Sequence, residues 1–380
     1  MKVVTAGIGL RAGHVLAIMK EKMPEIEFVG YFDPQPTYLA KIGGDAVPAF
    51  DGVAEMLEET KPDLLFVGSP NSFHLDHIKA GLAAGVRVFT EKPVVISEQE
   101  TFELAALLKQ HGTDRVMVGL VLRYSQHMVD LRALLDKLGP VVSLEGNEHI
   151  APYHGAFFMR DWRRLSKLSG GFMLEKCCHD LDIYNMVTNS RPVKVASFGG
   201  KKSYVPELAP LPETAEDTIM NSKASVWGSV DNAFRSDGDI VDHQTAILQY
   251  ETGASLAFHT NLNVPDEHRR FCVMCTLGMV EGDFVRGYLK ATLRDGTVIA
   301  DKDYNSIDPE KMKAHYGADD LMIGDIVALL RGVDVDLPVG VVDALEAGLA
   351  ALALDKARLR GEVVDMSETW AAFDAFGLRG

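Results

Sequence analysis

A short apolar run over residues 2–6 breaks into Gly7-Ile8-Gly9-Leu10-Arg11-Ala12, and the pattern then turns helical as far as residue 22. A strand that feeds a helix through this spacing of small residues has few backbone paths open to it. Gly7 permits the tight turn, Gly9 leaves backbone uncovered, and Ala12 lets the helix lie close on its strand. The N–H groups of Leu10, Arg11 and the rest of the first helical turn then sit at the positive end of the helix dipole, which suits a pyrophosphate. Glycine turns also join strands to helices that bind nothing, so the surroundings must carry the reading. A second strand over 27–32 ends in Asp33, about 20 residues beyond Ala12, where the dinucleotide fingerprint places an acidic group for the ribose hydroxyls. Pro34 and Gln35 follow. Neither is a cation that would meet a 2′-phosphate, so the pattern favours NAD over NADP. Without a ligand, Asp33 reads as a cap for the next helix.

The alternation continues. Helical patterns over 54–59 and 75–84, and one from the capping box Ser97/Glu100 to residue 110, separate strand-like runs over 64–68, 86–90 and 115–119. Strands and helices at this pitch make a doubly wound parallel sheet with its site at the strand C-termini. Ser69, Asn71, His74, Glu91, Lys92 and Arg123 all fall at or just past such ends. Phe89-Thr90-Glu91-Lys92-Pro93 places a carboxylate, an ammonium and a proline at one turn. A lysine there is a three-donor cation able to polarise or protonate a substrate oxygen. Taken alone, the same tripeptide is a surface ion pair beside a loop proline, and His74 is a histidine starting a helix.

A chain of 380 residues is too long for one ordinary core, so two domains are expected, 1–122 and 123–380. A formal net charge of −16 argues against a general affinity for nucleic acid or anionic membranes. The N-terminus enters a strand with no signal-peptide layout, and no apolar run reaches membrane-spanning length. Four cysteines, as Cys177-Cys178 and Cys272-x-x-Cys275, are no disulfide framework for such a chain and point to a reducing cytoplasm.

Beyond a helix over 124–138 and a strand over 141–150 comes the polar loop Asp161-Trp162-Arg163-Arg164, then Gly170-Gly171 and a helix over 173–187. That helix carries Glu175, Lys176, Cys178, His179, Asp180 and Asp182. Spacings of three and four put Glu175, His179 and Asp182 on one face. A histidine flanked by carboxylates a turn away can be held in one tautomer and kept basic. A metal held by Glu175, Cys178 and His179 with Cys272 and Cys275 is conceivable on ligand type, although residues 271–276 suit a core strand as well. From residue 193 onward the pattern is β, with strands over 193–199, 242–250, 255–261, 271–277, 279–283, 288–294 and 298–300. A long irregular stretch over 203–239 reads as a substrate lid or subunit contact. Helices over 321–331 and 341–359 follow, and a last apolar segment over 369–376 reads as packing.

Gly7–Gly13, Ser69-Pro70-Asn71-x-x-His74, the Ala-Gly-Val-x-Val-Phe-x-Glu-Lys-Pro run ending at Pro93, and the later His179-x-x-Asp182 together resemble the Gfo/Idh/MocA family of sugar and cyclitol oxidoreductases. The resemblance covers most of the chain. It implies an N-terminal Rossmann domain, a C-terminal α+β domain with an open, mostly antiparallel sheet, and NAD as cofactor. It also implies Lys92 and His179 as the catalytic pair, with Glu175 where aspartate is usual. Gly7, Gly9, Leu10, Arg11, Asp33, Ser69, Asn71, His74, Glu91, Lys92 and Arg123 are then expected at the cofactor. Lys92, Arg123, Trp162, Arg163 and His179 are expected at a sugar, sugar derivative or cyclitol. Arg164 and the run His268-Arg269-Arg270 could meet an anionic group on it. An open sheet with one bare face calls for a homodimer or homotetramer. Two other classes stay open: a glycoside hydrolase that uses NAD transiently, and a non-catalytic NAD-binding regulator.

Overall fold

Five parallel strands, β1 (Lys2–Ala6), β2 (Glu27–Phe32), β3 (Leu64–Val67), β4 (Arg87–Thr90) and β5 (Val116–Val118), form the first sheet in the order β2-β1-β3-β4-β5. Helices α1 (Leu10–Lys22), α2 (Val53–Thr60), α3 (His74–Ala83) and α4 (Glu98–His111) connect them. Every residue of β3 is buried, as in a parallel sheet covered on both faces. The start of α4 is fixed by Ser97, whose Oγ accepts the Glu100 N–H at 3.2 Å, while the Glu100 carboxylate accepts the Ile96 N–H at 2.7 Å. The reciprocal cap thus reaches one residue further back than the expected box.

The computed structural model describes residues 1–222, 227–305 and 315–379. They fall into two compact units: Met1–Tyr124 with Ala318–Gly348 and Ala371–Gly380, and Ser125–Gly317 with Leu349–Trp370. The sequence reading assigns everything after 122 to a second domain. The helix Ala318–Leu330 instead packs on α1, where Arg11 grips Asp319 through both carboxylate oxygens at 2.7 Å. The segment returns to the first unit because its apolar residues and this ion pair find their partners there.

In the second unit, β6 (Val141–His149), β7 (Pro192–Gly200), β8 (His243–Tyr250), β9 (Ser255–Asn261), β10 (Arg270–Cys275), β11 (Gly278–Asp283), β12 (Tyr288–Leu293), β13 (Val298–Asp303) and β14 (Val364–Asp365) form one sheet. Their order is β13-β12-β11-β10-β6-β9-β8-β7-β14, antiparallel throughout except between β6 and β9. Alternate residues of β8 are buried, so one face is packed and the other is not. The helix Phe172–Thr188 covers the packed face: Tyr184 lies so close to β6 that a Cβ on Gly146 would overlap its hydroxyl, and its ring meets Phe258 of β9. The helix Pro152–Arg160 is not evident in the sequence, because Tyr153, His154, Phe157 and Phe158 are weak helix formers. The irregular stretch holds the short helix Ala215–Met220, and its residues 223–226 lie outside the described ones. All four cysteines are free thiols, and no described helix is long and apolar enough to cross a membrane.

Where β6, β9 and the strand-like bridge at His268 meet, three histidines form a row. His268 Nδ1 lies 2.9 Å from the Asp266 carbonyl, His149 Nδ1 lies 2.8 Å from His268 Nε2, and His149 Nε2 lies 2.6 Å from His259 Nδ1. A carbonyl only accepts, so in a neutral row every proton points the same way: His259 donates to His149, His149 to His268, and His268 to Asp266. Burial, helped by His268 and His259, pushes His149 down to about 4. Burial does the same to His127, which packs between Tyr304 and Phe284, and to His77. All three bind fewer protons folded than unfolded, where a histidine titrates near about 6.5. Their contribution to stability is therefore complete above that pH and is lost as pH falls toward 4. The urea midpoint should drop steadily between pH 7 and 5, and His127→Phe, which keeps a ring in place, should flatten the slope. A midpoint constant over that range would refute the assignment.

Candidate active site

In the first unit the expected residues gather at the C-terminal edge of the sheet. Gly7 turns with φ 86° and its backbone presses on the loop after β3, where a Cβ would stand 2.4 Å from the Ser69 nitrogen. The Ile8 N–H donates to Asp33 Oδ2 at 2.7 Å, and the Gln35 N–H donates to Asp33 Oδ1 at 2.7 Å. The acidic residue at the end of β2 is thereby fixed beside the glycine turn. Above Gly9 the space is open: a Cβ there would meet no atom within 4 Å. Helix α1 has no side-chain cap and no acidic residue in its first turn. Asn71 is buried and opens the turn Asn71–Phe73.

The lysine turn is braced from the same loop. His74 is fully buried, and its two ring nitrogens lie 2.8 Å from the carbonyls of Pro93 and Ser69. The ring therefore ties the loop after β3 to the turn after β4. The Lys92–Pro93 peptide is cis. Glu91 is buried, and Arg11 Nε donates to it at 2.9 Å. Burial raises the Glu91 carboxyl above its ordinary range, against the pull of Arg11. The Arg11 guanidinium is thus held between Glu91 and Asp319. Arg123 is buried too, with the Pro338 carbonyl at 3.0 Å and Asp343 at 3.4 Å. Lys92 is half-buried at the end of this framework.

In the second unit the cluster lies on the helix Phe172–Thr188, which starts from Gly171 at φ 92°. Glu175, His179 and Asp182 are all buried on it, His179 with 2% of its surface exposed. Glu175 Oε1 accepts from Arg163 Nε at 2.9 Å, and Arg163 also donates to Asp161 at 2.7 Å while its guanidinium lies 4.3 Å over the Trp162 ring. Two carboxylates thus balance the Arg163 charge, so an anionic ligand there would meet a guanidinium already neutralised. Arg164 is likewise buried, donating to Asp237 at 2.6 Å.

On the helix face that meets the sheet, Arg269 Nε donates to Asp180 at 2.8 Å and lies 2.9 Å from Glu148, while Lys176 reaches Glu148 at 3.0 Å. Arg269, expected with His268 and Arg270 to meet an anionic group, is instead 2% exposed and belongs to the core, with exposed Arg270 beside it. The signal was present in β6, where Glu148 occupies an inward position of an alternating strand and so calls for a buried cation. Among the described residues no group of three histidine, cysteine or acidic side chains is arranged to hold a metal ion.

Residues 1–120 match the model of an oxidoreductase family with an NAD-binding Rossmann fold, and residues 128–281 match the GFO/IDH/MocA C-terminal domain. YteT of Bacillus subtilis is 30% identical over 307 residues, covering 70% of this chain and 67% of YteT. The chain belongs to the Gfo/Idh/MocA family. D-glucoside 3-dehydrogenase of Escherichia coli is 31% identical over 130 residues, 33% of this chain and 35% of that enzyme. The structure of scyllo-inositol dehydrogenase from Lactobacillus casei with bound NAD(H) and scyllo-inositol superposes with a TM-score of 0.70 at 20% identity, covering 97% of this chain and 99% of that one.

As in other members of the Gfo/Idh/MocA family, the N-terminal domain binds NAD. The uncapped start of α1 and the open space over Gly9 fit a pyrophosphate, which needs backbone N–H donors and close approach. These two glycines should separate by substitution. Gly9→Ala has room and an extended backbone, so its thermal midpoint should match wild type while NAD affinity falls about tenfold or more, roughly 1.4 kcal/mol. Gly7→Ala meets Ser69 and a left-handed φ, so both midpoint and affinity should fall. NAD titration by calorimetry beside a thermal melt reads this directly; unchanged affinity in Gly9→Ala would overturn the placement.

Proposed function

We propose that this NAD-binding oxidoreductase removes hydride from a CH–OH group of a sugar, sugar derivative or cyclitol, with Lys92 and His179 as its acid–base pair. The observation that carries the reading is the position of Lys92. It lies two residues past the end of β4 at the C-terminal edge of the parallel sheet, in the unit that holds the glycine turn, and His74 and Glu91 fix the turn that presents it. The names of several relatives support the substrate class: D-glucoside 3-dehydrogenase, D-xylose dehydrogenase and scyllo-inositol dehydrogenase.

Bound NAD supplies the hydride acceptor. His179 takes the hydroxyl proton as the C–H bond breaks, so that the alcohol becomes a carbonyl. The Lys92 ammonium donates to the same oxygen and stabilises the charge developing on it. Asp182, one turn beyond His179 and on its side of the helix, holds the imidazole in the basic tautomer. Glu175, bonded to Arg163, anchors the start of the helix rather than standing in directly for the usual aspartate. On this reading the enzyme works in the cytoplasm as a homodimer or homotetramer.

Replacing Lys92 with alanine, or His179 with asparagine, should cut kcat by about 10²- to 10⁴-fold with little change in NAD affinity. The assay is NADH formation against a panel of free sugars, methyl glycosides and inositols. Net NADH accumulation supports a dehydrogenase. Release of nitrophenol from a nitrophenyl glycoside with no NADH formed would replace it with transient oxidation and hydrolysis. Wild-type turnover in Lys92→Ala would sink both.

A further inference from the structure

Three consecutive residues leave the ordinary region of backbone space. His315 has φ 47°, Tyr316 59° and Gly317 80°. Left-handed backbone is routine for glycine and costly for a histidine or tyrosine, and such strain persists where the surroundings over-determine it. Tyr316 provides that constraint. Its ring stacks on Phe284 at 5.3 Å and 29°, lies 6.4 Å edge-on from His127, and its hydroxyl interacts with the buried Arg269. Arg269 is itself locked to Asp180, the residue after His179 on the helix Phe172–Thr188. The strained turn is therefore clamped to the element that carries His179.

What the clamp delivers is His315. Its ring centroid lies 5.6 Å from that of His179, with the planes inclined at 50°. His179 is almost wholly buried, whereas His315 is half-buried. A sealed base that collects a proton in each turnover needs a route by which to lose it, and imidazole is the side chain best suited to take up and release a proton near neutral pH.

We propose that His315 is a positioning and proton-relay residue that acts through His179 and connects it to solvent. The inference rests on the reading of His179 as the base. After the alcohol proton has reached His179, the N–H bond on that ring breaks and one forms on His315, which releases a proton from its other nitrogen to water. No electrons change hands in the relay, and no group beyond water is needed.

The test uses the full chain labelled with 15N-histidine. His315→Asn keeps a residue that tolerates the left-handed backbone but cannot relay. Exchange of the His179 ring N–H with water, followed by NMR on the protein alone, should slow about tenfold or more in this variant, and added free imidazole should restore it. Turnover of NAD with methyl β-D-glucoside, D-xylose or scyllo-inositol should fall alongside it and recover with imidazole. Exchange as fast as in wild type overturns the relay, and so does slow exchange that imidazole does not rescue, which would mark a purely structural role. Should His315→Asn fail to fold, His315→Gly, which takes the left-handed backbone without strain, gives the same readings. His179→Asn separates the two claims: if it leaves turnover intact, the base assignment itself fails; if it abolishes turnover while His315→Asn exchanges normally, only the relay fails.

Discussion

A guanidinium in the core governs the second unit. Arg269, the residue just before β10, is sealed from water between Asp180 of the helix and Glu148 of β6, with Lys176 on the far side of Glu148. Two cations and two anions make a neutral group, so no net charge is buried. Burial lifts Asp180 above the ordinary carboxylate range despite Arg269, whereas at Glu148 the two cations outweigh burial and hold the carboxyl low. The direction at Glu148 is the one geometry favours, since it meets two cations and Asp180 only one. Removing one member of such a group would leave an uncompensated charge inside, a loss of about 3–5 kcal/mol. That penalty makes the register of the helix on the sheet nearly all-or-none, and with it the angle at which His179 is presented.

The first unit has a charged group of its own, Arg11 between the buried carboxylates of Glu91 and Asp319. Its loops are joined by a single buried imidazole, His74, between two carbonyls, and by tight backbone contact at Gly7.

The parallel sheet was legible because its strands are mainly apolar and its helices alternate with them, both local signals. The helix of His179 was legible for the same reason, through spacings of three and four. Other features were hidden because they depend on partners far along the chain. Arg269 follows a histidine and precedes an arginine, and only the tertiary fold sends one of the three inward. Arg11 and Arg163 look like ligand-reading cations in sequence, yet carboxylates 80 and 12 positions away occupy them. His315 lies outside any periodic pattern, and its meaning comes from a backbone angle that sequence does not print. The row His268–His149–His259 likewise needs two strands and a bridge to align.

Arg11 has a consequence beyond its own contacts. One side chain joins the first turn of α1, the residue beside Lys92, and a helix that begins at Ala318. The polypeptide leaves the first unit after Tyr124, returns at Ala318, leaves again after Gly348 and returns once more at Ala371. A gene fragment cut at the apparent end of the nucleotide-binding motif would thus leave Arg11 with Glu91 alone, its second counter-charge, Asp319, being encoded elsewhere. Neither unit is one continuous stretch of chain, so neither could be exchanged by evolution or an engineer as a single gene segment.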